Sequence, residues 1–109
     1  MATTYKVLGQ VNPAATTATT LYTVPSATQA VASTLWVCNQ ASTAATYRIA
    51  VRPAGATLAT QHYIVYGATV PASDSVAVTT GFTLAATDVV TVYASSATLS
   101  FNLHGSEIA

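Results

Sequence analysis

Any catalysis by this chain would have to be assembled from nine side chains: Asp74, Asp88, Glu107, His62, His104, Cys38, Lys6, Arg48 and Arg52. Paired carboxylates do acid–base work when their environments push their pKa values apart. Asp74, however, lies in Pro71-Ala-Ser-Asp-Ser75 and Asp88 in Ala85-Ala-Thr-Asp-Val89. A carboxylate in such a turn is expected to accept hydrogen bonds from its own turn's amides. Cys38 has no neighbouring base to lower its pKa, so it is expected to be an inert, buried small hydrophobe rather than a nucleophile. His62 precedes Tyr63-Ile-Val-Tyr66 and is expected at a strand edge. His104 and Glu107 form an HxxE spacing, but two ligands in an extended segment do not complete a tetrahedral metal site unless copies meeting on a symmetry axis supply the rest. The chain has no GxSxG, P-loop, GxGxxG or CxxC. No catalytic residue, metal ligand or cofactor is therefore expected, and the chain reads as a protein that is not an enzyme.

The elements that carry these residues read as strands. Thr and Val are abundant, Pro and Gly fall between apolar stretches, and no segment holds a 3.6-residue apolar period over three turns. Strands are expected at 5–11, 20–24, 30–39, 45–52, 62–66, 75–80, 89–95 and 98–104. That makes one all-β domain over 1–109, a small sandwich or jelly roll of about eight short antiparallel strands. In 30–39, Val31, Ser33, Leu35 and Val37 alternate with Ala32, Thr34, Trp36 and Cys38, and both sets contain a large apolar side chain. This strand is expected to be central and covered on both sides. In 45–52, Tyr47, Ile49 and Val51 alternate with Arg48, Ala50 and Arg52, which puts both arginines on one half-exposed face. In the last strand Leu99, Phe101 and Leu103 are expected inward and Ser100, Asn102 and His104 outward. Val76, Val78, Val90 and Val92 fill the rest of the core. Pro13 to Thr20 is a small-residue loop, and Pro25-Ser26, Pro53-Ala-Gly55, Pro71 to Asp74 and Gly81 mark turns.

Composition restricts the partners. Lys+Arg 3 balances Asp+Glu 3 in 109 residues, and only 6% of residues are charged, against roughly 25% in an ordinary soluble domain. There is no basic stripe to neutralise phosphates or bind an anionic membrane, so neither nucleic acid nor membrane is an expected partner. No run of about 18 apolar residues could span a bilayer, and the opening residues Met1-Ala-Thr-Thr-Tyr-Lys-Val lack a secretory apolar core, so synthesis and folding in a cytoplasm are expected. A neutral Thr/Ala/Ser exterior favours association, as in a subunit covered by copies of itself or by a lattice. Among the aromatic residues, Tyr22, Tyr47, Phe82, Tyr93 and Phe101 are expected in the core or at its edge. Trp36 is expected in the core, with an interface position as the alternative. Tyr63 and Tyr66 should lie on opposite faces of one strand, leaving at least one open to a partner.

The blocks Tyr5-Lys-Val-Leu-Gly-Gln10, Leu21-Tyr-Thr-Val-Pro25, Val37-Cys-Asn39, Tyr47-Arg-Ile-Ala-Val-Arg52, His62-Tyr-Ile64, Leu84-Ala-Ala-Thr-Asp-Val89, Val92-Tyr-Ala94, Leu99-Ser-Phe-Asn-Leu103 and Gly105-Ser-Glu-Ile108 resemble a family of small virion structural proteins of tailed bacteriophages, particularly cyanophages. The resemblance implies a compact trimeric β-sandwich on the outer capsid surface, a cement or decoration protein whose partners are its own copies and the major capsid protein. Related small sandwiches occur in tails, necks, baseplates and fibres, and a carbohydrate- or host-binding β-module is a further alternative. The ends, 1–4 and 107–109, are expected as extended arms reaching neighbours. Candidate interface residues are Met1, Ala2, Thr3, Thr4, Tyr5, Trp36, Arg48, Arg52, Tyr63, Tyr66, Glu107 and Ile108.

Overall fold

The computed structural model describes residues 2–79 and 81–109. The expectations for Met1 and for a strand end at Thr80 lie outside them. The chain forms nine strands, β1 (Thr3–Val11), β2 (Thr19–Thr23), β3 (Gln29–Asn39), β4 (Ala45–Arg52), β5 (Tyr63–Val70), β6 (Ser75–Val78), β7 (Phe82–Leu84), β8 (Val89–Ala94) and β9 (Leu99–Ile108). Two antiparallel sheets face each other. The first, sheet A, runs β1-β9-β3-β6, with β7 also on β3, and sheet B runs β2-β8-β4-β5.

The order follows from one nested arrangement. Ala45 of β4 pairs with Val70 of β5, Leu35 of β3 with Val78 of β6, Thr19 of β2 with Val92 of β8, and Thr3 of β1 with Ile108 of β9. Partners step inward together from the two ends, so the chain is a single long hairpin folded over on itself. This is the jelly-roll plan, in which successive rungs of the hairpin go to alternate sheets. The outermost rung is made by the ends themselves. The Ala2 N–H donates to the Ala109 carbonyl at 2.7 Å and the Ala109 N–H to that of Ala2 at 2.9 Å.

Alternation accounts for the core. Leu99, Phe101 and Leu103 of β9 are fully buried and meet Leu35, Val37, Ile49, Val90 and Val92 between the sheets, while Val76 and Val78 pack at the margin. Tyr47 meets Phe101 edge to face at 6.3 Å. Asn39, buried at the end of β3, satisfies itself completely. Its Nδ2 donates to the carbonyls of Thr43, Val70 and Pro71, and its Oδ1 accepts from the Ala41 N–H and the Thr98 hydroxyl. Three other chain segments, at 41–43, 70–71 and 98, are thereby tied to the end of β3 at one corner.

Several expectations change in detail. The strand count is nine because β3 is long enough for two partners on one edge, β6 along Leu35–Cys38 and the short β7 along Ala30–Ala32. The fifth strand continues to Val70 and the last to Ile108. In β3 a bulge at Ser33 breaks the alternation, so Ala30 and Ala32 point inward above it and Leu35 and Val37 below it. The outer face of β3 is therefore open rather than covered, and Trp36 stands on it instead of in the core. A matching bulge at Leu8 of β1 sits on the other side of β9. Both strands bend there around β9, where β-carbons on Gly9 and Gly105 would collide with the Leu21 and Val31 carbonyl oxygens.

Candidate functional site

The outer face of sheet A collects what the bulges expose. By register, Tyr5, Ser106 and Val31 form one row across β1, β9 and β3, Val7, His104 and Thr34 the next, and Gln10, Asn102 and Trp36 a third. Tyr5 is 85% exposed, Val7 43%, Val31 39% and Trp36 45%. Gln10 donates to the Asn102 Oδ1 at 2.6 Å and the Ser33 hydroxyl to the His104 carbonyl at 3.1 Å, which keeps the polar members of the face engaged within it. A shallow groove of about 500 Å³ runs along this face between Tyr5, Val31 and His104. Cys38, half-buried, lies one row below Trp36's neighbour Val37, between Ser100 and Ser75 on the same outer side. The expectation that it is buried is corrected for the same reason as that for Trp36.

The outer face of sheet B holds a different cluster. Arg48 of β4 lies between two rings, its guanidinium carbon 4.2 Å from the Tyr66 centroid and 4.1 Å from that of Tyr93. Tyr63 meets Tyr66 edge to face at 4.9 Å. Tyr63 and Tyr66 thus share a face, against the expectation from their spacing. Bulges at Ile64 and Gly67 in β5, the latter with φ 79°, place Tyr63 opposite Ala50 and Tyr66 opposite Arg48. Tyr93, expected in the core or at its edge, is half-buried on this outer face, paired directly with Arg48. Arg52, the other arginine of the strand, is committed to structure. It donates to the carbonyls of Ala56 at 2.7 Å and Gly55 at 3.0 Å and to the Thr91 hydroxyl at 3.3 Å.

A third polar group joins the sheets. The Tyr22 hydroxyl of β2 donates to Glu107 Oε2 at 2.5 Å, and Lys6 Nζ lies 3.3 Å from Oε1. The hydroxyl's hydrogen bond, helped by Lys6, holds the Glu107 carboxyl below its usual range although burial acts the other way. Burial, together with the carboxylate it faces, pushes the Tyr22 phenol well above the ordinary tyrosine value. Glu107 is thus a clamp between β9 and β2, and Thr3, Thr4 and Ile108 belong to the paired ends of β1 and β9.

The remaining ionisable groups are dispersed. Asp74 accepts from the Ser75 N–H, and Asp88 from the Ala85 and Ala54 N–H groups, as expected of turn carboxylates, with Ala54 contributed by the 3₁₀ turn Pro53–Gly55. His62 ends a second 3₁₀ turn just before β5, its Nδ1 accepting from the Ala59 N–H. Among the described residues no three His, Cys, Asp or Glu side chains come together as a metal site. The Tyr63–Tyr66–Arg48 convergence had a faint signal in the sequence, Gly67 directly after Tyr66. The apolar face around Val7 and Val31 had none, because a bulge changes which side of a strand is wet without changing its composition. No known family model matches the chain, and no curated protein matches it either.

Proposed function

We propose that the protein is a structural subunit that works by association, a cement or decoration protein of a phage virion that stabilises the expanded head as a trimer. The observation that carries this reading is the outer face of sheet A, where four large apolar side chains are exposed and the cation beside its groove, Lys6, is paired with Glu107. Such a face gains from being covered, since burial of apolar area is favourable and an aromatic anchor surrounded by small polar side chains is the composition of an interface centre. Cementing suits these properties. Copies bridging several shell subunits raise one another's effective concentration, so no single contact has to be strong. Contacts with few charges also vary little with salt.

The test is the copy number of this polypeptide in gradient-purified virions by quantitative mass spectrometry, with Trp36→Lys as the interface variant. A copy number comparable to that of the major capsid protein, lost with Trp36→Lys, is the expected result. A few copies per particle would move the protein to a tail, neck or baseplate, and absence from particles would overturn the virion reading.

A further inference from the structure

The chain's few charges are almost all satisfied internally. Lys6 is paired with Glu107, and Arg52 is held by two carbonyls and a hydroxyl. Asp88 uses both oxygens, one for the Ala54 N–H and one for that of Ala85. Two groups are left over among the described residues. Arg48 has no hydrogen-bond acceptor and no carboxylate beside it, while its faces are covered by Tyr66 and Tyr93. Asp74 spends only Oδ1, on the Ser75 N–H, and is exposed at the turn between β5 and β6.

Both groups are preorganised. Contact with two rings restrains the Arg48 side chain, whose guanidinium N–H groups can grip a carboxylate in a fork. The Asp74 turn is pinned by the Asn39 N–H donating to the Asp74 carbonyl at 2.8 Å and by the Ser73 N–H donating to that of Ala41 at 2.9 Å. One is a socket on the outer face of sheet B and the other a knob on a connection between the sheets, and they do not meet within one molecule.

We infer that Arg48, clamped between Tyr66 and Tyr93, is the socket for Asp74 of a second copy of this chain. The charges are complementary, and Tyr and Arg are the residue types that dominate binding energy at interface centres. The pair forms twice about a two-fold axis if the copies face each other, or head to tail around a ring if the rotation between copies closes. This rests on the association reading above but uses the opposite sheet, so the two can fail separately.

Sedimentation equilibrium of the full chain over a range of concentrations tests it with Arg48→Glu, Asp74→Arg and the double variant. Each single change is expected to raise the dissociation constant about tenfold or more, and the double exchange to recover most of that loss. Since a carboxylate between two tyrosine rings could weaken the fold, Arg48→Gln and Asp74→Asn form a second cycle, with circular-dichroism melts alongside. There the double variant should associate no more weakly than either single one. A wild-type chain that stays monomeric, single variants that associate like wild type, or charge exchange without recovery would each overturn the inference. If Trp36→Lys removes the protein from particles while the Arg48 and Asp74 variants associate normally, the pairing falls and the cement reading stands.

Discussion

At the scale of single residues, the polar groups that matter are structural clamps. Asn39 is buried with five hydrogen-bond partners on three other segments, so Asn39→Ala leaves several buried groups unpaired. It is expected to lower the unfolding free energy by about 2–3 kcal/mol, measured by urea titration. Glu107 gives a pH signature. Its ordinary value is 4.5 and the folded value is lower, so the folded state binds fewer protons than the unfolded chain. The stabilisation is complete above about pH 4.5 and fades as the pH falls through the depressed value. The difference in stability between wild type and Glu107→Gln, roughly 1–2 kcal/mol at neutral pH for a charge-assisted hydrogen bond, should therefore shrink on acidification. A difference independent of pH would show that the Tyr22–Glu107 contact does not depend on the carboxylate's charge.

At the scale of elements, bulges decide which side chains reach the outer faces, and they also mark where the sequence stops being readable. The all-β class and the inward set Leu99, Phe101 and Leu103 were legible, since alternation on an uninterrupted strand fixes the buried face. Trp36, Tyr63 and Tyr66 were not, because one extra residue at Ser33, Ile64 or Gly67 reverses the parity of everything beyond it. The short β7 escaped notice because three residues after a turn carry no period. What the bends demand can be tested at Gly105, where the Val31 carbonyl leaves no room for a β-carbon. Gly105→Ala is expected to destabilise the fold by about 1–3 kcal/mol, while Gly67→Ala, with open space around it but φ 79°, strains only the backbone. Paired thermal melts should place Gly105→Ala lower.

At the scale of the whole molecule, the sandwich presents two unlike outer faces, a largely apolar one on sheet A and an arginine–tyrosine one on sheet B. Trp36→Lys removes an exposed anchor without opening the core, so it is expected to change the melting temperature little while lowering association measured by light scattering. The nested hairpin also sets an order of events in folding. The β4–β5 contacts span the shortest loop and the β1–β9 contacts nearly the whole chain, so ring-closure entropy rises with each successive rung. Zipping from the middle outward would leave the terminal rung, including the Ala2–Ala109 pair, as the last to close and the first to open. Amide protons of β1 should then exchange with deuterated solvent before those of β4 and β8. A fold that closes its outermost rung last keeps the Tyr5 end of its apolar face unfinished until the rest of the sandwich is in place.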